Sequence, residues 1–203
     1  KKCVLQPEVI ANPVSKTNNL FDFGQEYAGY LKLKVNVSKP CKVKLCYAEC
    51  LCDCELVYQI SNRDFSLDFN CVEGENEFTQ LFVRVAARYI KVISDEELSD
   101  INVSILPSVY PLTQKPFNIC GKEKSIYDAC INTLRLCMNM HYEDCPWREQ
   151  ALYVLDSRNQ MLCGYYAFEE TEFQRANLVF MSKGLRKEGV LELTYPAINT
   201  PAI

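Results

Sequence analysis

The densest group of side chains that could do chemistry lies at residues 141–150, with Asp156 close behind it. If residues 147–168 form one helix, Glu149 and Asp156 share a helix face about 10 Å apart along the axis, with Tyr153 between them. Carboxylates grouped with an aromatic ring suit a sugar site. There, acids accept hydrogen bonds from hydroxyls, one acid protonates the leaving oxygen and a ring packs against the sugar.

Asp144 lies just before this predicted helix and could approach the same end. The same residues also have a purely structural interpretation. Asp144 then caps the helix, Glu149 forms a solvated pair with Arg148 or Arg158, and Asp156 is an ordinary exposed carboxylate. Spacing alone favours this structural interpretation.

Other polar and small residues give weaker signals. His141, the only histidine, could touch a substrate, but a histidine at a helix end more often satisfies nearby carbonyl groups. Glu49 ends a predicted strand, where it could meet the helical part or face solvent. Gly24 and Gly29 are interpreted as turn or bulge residues, because no phosphate-binding glycine pattern or helix follows them.

Twelve cysteines are many for 203 residues. Cys50, Cys52 and Cys54 alternate with other residues, so on a strand they share one face, whereas a zinc knuckle needs C-x2-C pairs. Three others lie in helical apolar patterns, where we expect buried thiols that replace small apolar residues: Cys130, Cys137 and Cys163. Unpaired thiols in this number favour a reducing, cytoplasmic location and no metal site.

Between Leu20 and Leu106 the pattern is that of β-strands with short polar breaks. We expect about seven antiparallel strands in a sandwich or jelly roll spanning residues 1–108. The segments are LFDF, YLKLKVNV, KVKLCYA, FSLDFNCV, EFTQLFVRV, ARYIKVIS and INVSIL.

The residue pattern changes after this region. Two prolines in YPLTQKP at 110–116 predict a linker over residues 109–120, before a helical part at 121–203. Helices are predicted at 122–141, at 147–168 with Pro146 at its start, and at 170–185. The first helix has apolar residues at spacings of three and four, which predict its buried face: Ile126, Ala129, Cys130, Leu134, Cys137 and Met138.

Three helices cannot close an α-domain with an inner and an outer layer. Apolar faces should therefore remain for later helices or for a second copy of the chain. The last residues, LELTYPAINTPAI, hold two prolines and no predicted closing element. We expect either a homo-oligomer through exposed helical faces or a chain that ends inside a domain.

Composition excludes two classes of partner. The formal net charge of -4 and the pI near 5.2 leave no basic surplus for phosphates, so nucleic acid is not expected. No apolar run approaches the length that spans a bilayer, so we expect a soluble protein without a membrane role.

Several motifs resemble those of one enzyme family. DCPWREQALYVLD at 144–156 resembles the D-C-P-x-R-(D)-E, then G-D, signature of the α-L-rhamnosidases, inverting glycoside hydrolases that carry it at the entrance of an (α/α)6 barrel. Parts of the preceding β-sandwich, F-D-F-G-Q-x-x-A-G, Y-A-E and F-R-Y-v-x-v, are similar to three segments here: FDFGQEYAGYLKLKV at 21–35, KVKLCYAECL at 42–51 and ARYIKV at 87–92. The late GVLELTYPA resembles the segment that follows the early barrel helices.

The resemblance implies an α+β multidomain fold, an antiparallel sandwich followed by the first helices of an (α/α)6 barrel. It also implies roles for individual residues. Glu149 matches the general acid, Asp144 and Asp156 match carboxylates that hold rhamnose hydroxyls, and the supporting wall residues are Trp147, Arg148 and Tyr153. The sequence departs from the family where Leu155 replaces a glycine and where Tyr153 and Val154 replace a Gly-Trp pair.

The implied function is part of a glycoside hydrolase that cleaves terminal α-L-rhamnosyl linkages by inversion, with a rhamnosyl glycoside as partner and no cofactor. Inversion needs a second carboxylate about 6.5–9.5 Å from the acid to activate water. In the family that base lies later in the barrel, and neither Glu188 nor Glu192 matches it, so this chain alone should be inactive. The alternative is a non-catalytic carbohydrate-binding or interaction module.

Overall fold

The computed structural model describes residues 4–5 and 9–196. The chain divides into two compact units, one of residues 5–108 and one formed mainly from residue 109 onward. The strands are β1 (Val4–Leu5), β2 (Ser15–Thr17), β3 (Leu20–Val37), β4 (Cys41–Ala48), β5 (Gln59–Ile60), β6 (Arg63–Asp64), β7 (Ser66–Cys71), β8 (Gly74–Thr79), β9 (Val85–Ser94) and β10 (Leu98–Val109).

The first unit is the predicted antiparallel sandwich, and its central element is β3. Strands follow the order β10-β3-β9-β4-β7, and β2 and β8 also pair with β3. β3 pairs with β9 through residues 20–29 and with β8 through residues 32–37. It is 18 residues long, so the segments LFDF and YLKLKVNV belong to one strand instead of the two that the sequence predicts.

Alternation along β3 explains which face is buried. Leu31, Leu33 and Val35 are 0% exposed, whereas Lys32 and Lys34 point outward and form ion pairs with glutamates of β8. Period-two patterning is what a half-buried strand requires. Burial of each large aliphatic side chain contributes about 1.5–3 kcal/mol.

Two of the matched motifs meet at the start of β3. The carboxylate of Asp22 accepts hydrogen bonds from Arg88 Nε at 2.9 Å and Arg88 Nη2 at 3.0 Å, and also from the backbone N–H of Gly24 at 2.7 Å. The Arg88 guanidinium lowers the pKa of Asp22. Gly24 has φ +77°, and the β3–β9 register shifts between Asp22 and Tyr27. Gly24 is therefore the predicted bulge residue.

Gly29 has a different role from Gly24. It lies within β3 opposite Pro107 of β10 and Val85 of β9. A Cβ atom at Gly29 would overlap the carbonyl oxygen of Leu106 and lie 2.7 Å from its carbonyl carbon. The obstacle is backbone, which cannot rotate away, so close approach of β3 and β10 requires glycine here.

We expect Gly29→Ala to destabilise the chain by about 3 kcal/mol, because the added methyl group forces two strands apart. Urea unfolding followed by circular dichroism measures the change. Gly74→Ala is the control, since its Cβ meets nothing within 4 Å while its φ is +97°. It should cost only about 1 kcal/mol of backbone strain. Equal losses in the two variants would contradict the steric explanation.

A carboxyl pair lies between the bulge of β3 and the end of β4. Glu26 forms a side-chain hydrogen bond with Glu49, and burial together with the Glu49 charge raises the pKa of Glu26 to about 8, with Arg84 acting in the opposite direction. Atom Oε1 of Glu26 is buried. Glu49 is thus half-buried beside a second carboxyl group, an arrangement that its strand-end position does not predict.

This pair predicts a pH-dependent stability. An ordinary glutamate has a pKa of 4.5, so between pH 4.5 and about 8 the folded chain holds a proton that the unfolded chain releases. That contribution favours folding at the acidic end and is lost as the pH rises towards about 8. Glu26→Gln should therefore match the parent chain near pH 5 and exceed its urea midpoint above about pH 8.

Glu77→Gln is the matched control for the carboxyl-to-amide change. Lys32 lies 2.6 Å from Glu77 and lowers its pKa, so any contribution of Glu77 is lost as the pH falls, in the opposite direction. A parallel pH dependence in the parent chain and Glu26→Gln would refute the shared-proton explanation.

The second unit contains three helices: α1 (Gly121–Leu136), α2 (Val154–Ala167) and α3 (Glu172–Ser182). Three helices are as predicted, but α1 and α3 are shorter, and α2 begins seven residues later than the predicted helix at 147–168. Leu134, Cys137 and Met138 are buried as expected. The other three residues of the predicted α1 face are exposed: Ile126, Ala129 and Cys130. The buried residues of α1 all lie in its C-terminal half.

The core of this unit is aromatic and includes residues outside the helices. Tyr142, Phe168 and Phe173 are fully buried, and the ring of Tyr110 lies 4.4 Å from that of Phe173 between centroids. Segment 110–115 is tied to the same unit, for example by the Lys115 N–H, which donates to the Ala167 carbonyl at 2.8 Å. It therefore packs as part of the helical unit.

The thiols are distributed differently from the prediction. Cys137 is buried as expected, but Cys130 and Cys163 are exposed, as are the three alternating cysteines Cys50, Cys52 and Cys54. Cys130 and Cys163 line an apolar groove between α1 and α2 with a volume of about 680 Å³. Apolar side chains on these helix faces thus have no covering layer among the described residues.

Within residues 4–5 and 9–196, no helix has the length and apolar character to cross a membrane. The described His, Cys, Asp and Glu side chains also include no group of three or more that could hold a metal ion.

Candidate functional site

Residues 144–151 form a closed loop. The Asp144 N–H donates to the Ala151 carbonyl at 2.9 Å, and the Ala151 N–H donates to Asp144 Oδ1 at 2.9 Å. Gln150 has φ +53°, a left-handed conformation that interrupts a helix. The predicted helix start at residue 147 is therefore wrong. Asp144 caps a backbone N–H seven residues later and closes a loop, where the sequence predicts a helix cap.

Further hydrogen bonds stiffen this loop from inside. Gln150 Nε2 donates to the Pro146 carbonyl at 2.6 Å. The Glu149 N–H donates to Cys145 Sγ at 3.3 Å, and Cys145 Sγ donates to Asp144 Oδ2 at 3.2 Å. The Asp144 carboxylate is thus held at both oxygens.

Glu149 is held by two neighbouring side chains. Its Oε2 accepts a hydrogen bond from the Tyr153 hydroxyl at 2.9 Å, and its Oε1 lies 3.2 Å from Arg148 Nη2. The Glu149 side chain is 24% exposed, so water and a ligand can reach it. Two of the predicted wall residues therefore orient the predicted proton donor.

Asp156 lies in the first turn of α2 and is exposed. Because Glu149 precedes the helix, the two residues do not share a helix face, and the predicted helical spacing between them is wrong. The role of Asp156 in a site stays a prediction. Trp147, the only tryptophan of the chain, is half-buried within the closed loop.

The late segment 191–195 supports the residues that follow the loop. The Val154 N–H donates to the Leu193 carbonyl at 3.1 Å, and the Tyr195 N–H donates to the Leu152 carbonyl at 3.3 Å. Tyr153 forms a β-bridge with Thr194. The described part of the tail, up to residue 196, is thus a supporting strand-like element, and the rest of LELTYPAINTPAI at 197–203 lies outside the described residues.

Glu192 and His141 both have structural partners. Arg186 Nε lies 2.7 Å from Glu192 Oε1, Arg186 Nη2 contacts the other oxygen, and this guanidinium lowers the pKa of Glu192. His141 Nδ1 lies 2.7 Å from the Tyr142 carbonyl oxygen, and its ring stacks on Phe180 at 6.4 Å between centroids. These contacts agree with the structural interpretation of His141.

Sequence reasoning missed two residues of this region. Cys145 bridges Asp144 and Glu149, and its only signal was its place between two nominated residues in the D-C-P motif. Glu143 is 3% exposed, its N–H donates to the Cys137 carbonyl at 2.8 Å, and its carbonyl accepts from Gln160 Nε2 at 2.7 Å. Burial of a carboxylate is set by neighbouring elements, so its position in the sequence carries no sign of it.

We expect Asp144→Ala to open the loop, because it removes a charge-assisted hydrogen bond worth about 2 kcal/mol to the Ala151 N–H. Trypsin cleavage after the exposed Arg148 should accelerate by at least about tenfold, as mass spectrometry of limited digests would show. Asp144→Asn is the control, since its amide oxygen can still accept from Ala151. Equal cleavage rates in Asp144→Ala and the parent chain would argue against this role.

One sequence family matches part of the chain. Residues 12–106 match the bacterial alpha-L-rhamnosidase concanavalin-like domain. This range covers most of the first unit and excludes the loop at 144–151. Among curated proteins, no sequence matches this chain.

Solved structures extend the likeness of fold to the helical unit. An α-L-rhamnosidase from Streptomyces avermitilis complexed with L-rhamnose has a TM-score of 0.79 at 18% identity, covering 94% of this chain and 20% of that one. The enzyme from Dictyoglumus thermophilum has a TM-score of 0.77 at 18% identity, covering 95% and 23%. A rhamnosidase from Klebsiella oxytoca with rhamnose bound has a TM-score of 0.73 at 22% identity, covering 86% and 37%.

This chain therefore spans between about a fifth and just over a third of the length of these structures. At such identities the structural likeness concerns the fold alone, a sandwich followed by the start of a helical domain. The resemblance that the sequence motifs indicate is thereby confirmed, and it is strongest in the sandwich, where residues 12–106 match the concanavalin-like domain of the bacterial α-L-rhamnosidases.

Proposed function

We propose that this chain is part of an α-L-rhamnosidase-like glycoside hydrolase that cleaves terminal α-L-rhamnosyl linkages with inversion. The observation that carries the proposal is the closed loop 144–151, which holds Asp144 and Glu149 on one short, hydrogen-bonded segment. This segment is the one that resembles the signature of the family. The rhamnose bound in two structures of similar fold supports the choice of sugar.

The roles follow from the chemistry of each side chain. Glu149 donates a proton to the leaving oxygen, and its Tyr153 and Arg148 contacts aim the carboxyl group. Asp144 and Asp156 accept hydrogen bonds from sugar hydroxyls. Trp147 offers an aromatic face on which the apolar side of a deoxy sugar can pack.

Inversion also needs a general base that activates water on the opposite face of the sugar. None of the residues assigned above has that role, and Glu192 is engaged by Arg186. We therefore expect the 203-residue chain to bind L-rhamnose weakly and to leave p-nitrophenyl-α-L-rhamnoside uncleaved.

Binding can be followed through the single tryptophan. L-Rhamnose should change Trp147 emission in a saturable way, with a dissociation constant on the order of 1 mM, a binding free energy of about -4 kcal/mol. D-Galactose should give no saturable change, and Asp144→Ala should abolish the response to L-rhamnose. If L-rhamnose does not change Trp147 emission, that result would contradict the proposed site.

Hydrolysis tests the role of Glu149. In a fusion that joins this chain to the later helices of one of the similar rhamnosidases, Glu149→Gln should lower kcat by about 10²- to 10⁴-fold, because the amide cannot donate the proton. Glu188→Gln is the control and should leave the rate unchanged. Sugar binding without turnover in the fusion would favour the alternative of a non-catalytic carbohydrate-binding module.

A further inference from the structure

The thiol of Cys145 lies between the two acidic residues of the proposed site. Its sulfur is 3.2 Å from Asp144 Oδ2 and 3.3 Å from the Glu149 backbone nitrogen. A thiol can donate one hydrogen bond and accept another, and here both capacities are used. The thiol donates to the carboxylate and accepts from the amide.

The bond from the thiol completes the hydrogen bonding of the Asp144 carboxylate. Its Oδ1 already accepts from the Ala151 N–H at 2.9 Å, so the thiol holds the remaining oxygen. Displacement of the Asp144 carboxylate must then either break the sulfur contact or carry Cys145 with it. Because the Glu149 N–H is bonded to the same sulfur, the backbone of Glu149 responds to the position of Asp144.

We infer that Cys145 is a positioning residue that couples the Asp144 carboxylate to the backbone of Glu149. The inference rests on the proposed function, in which Asp144 holds the sugar and Glu149 supplies the proton. Cys145 acts through these two residues and does not itself contact the sugar. The thiol keeps the sugar-binding group and the proton donor at a constant separation.

The first test compares three replacements by their affinity for L-rhamnose, measured through Trp147 emission. Cys145→Val fills the space without a polar group and Cys145→Ala empties it, so both should weaken binding by about 3- to 10-fold. Cys145→Ser retains a donor and an acceptor and should bind within about 2-fold of the parent chain. Cys120→Ala, at an exposed thiol without a side-chain cap hydrogen bond, is the control and should be neutral.

The melting temperatures of the same Cys145 variants distinguish a positioning role of the thiol from a role in packing alone. If Cys145 only filled space, Cys145→Val would keep full affinity and Cys145→Ser would lose it in step with stability. Full affinity in Cys145→Val overturns the inference while leaving the proposed function intact.

The second test needs no sugar. It therefore tests the coupling between Asp144 and Glu149 even if the chain does not bind L-rhamnose and the proposed function is wrong. Asp144→Asn should shift the amide resonance of Glu149 in a ¹H–¹⁵N spectrum of the parent chain. In the Cys145→Ala background the same substitution should leave that resonance nearly unmoved. An equal shift in both backgrounds would show that the coupling does not pass through sulfur and would overturn the inference.

Discussion

The paired hydrogen bonds between Asp144 and Ala151 are the constraint on which the candidate site depends. They close a loop of eight residues, and that closure decides where Glu149, Trp147 and the start of α2 lie. A carboxylate that accepts a backbone N–H is a strong, directional tie. The Asp144 side chain therefore closes the loop and is also a proposed sugar ligand.

The side chains of the proposed site are oriented by contacts within the chain, without any bound ligand. The Glu149 carboxylate is oriented by Tyr153 and Arg148, and its backbone is tied to Cys145. The residues after the loop are braced by segment 191–195, far away in sequence. Groups that are held in place in this way lose little additional freedom when a ligand binds.

In the sandwich, the family motifs have structural explanations. Asp22 and Arg88 belong to two different motifs and bond to each other at the start of β3. Gly29 allows β10 to approach β3, and Glu49 shares a buried environment with Glu26. Backbone packing and local electrostatics therefore explain why these residues stand in the motifs. A role in sugar chemistry is not needed to explain them.

Sequence patterns were sufficient to predict the antiparallel sandwich, the existence of three helices and the family resemblance, because strand alternation, turn residues and short motifs are local signals. Four features depend on contacts between distant residues and could not be predicted in this way: β3 is one long strand, Ile126 is exposed, Glu26 and Glu49 meet, and residues 144–151 form a loop. The apolar spacing in α1 could not show which turns find a packing partner, and the spacing of Glu149 and Asp156 fits a helix equally well. The hydrogen bond from the Ala151 N–H to Asp144 stabilises a loop in place of a helix over this stretch. Local sequence patterns do not show whether two residues seven positions apart will form such a bond.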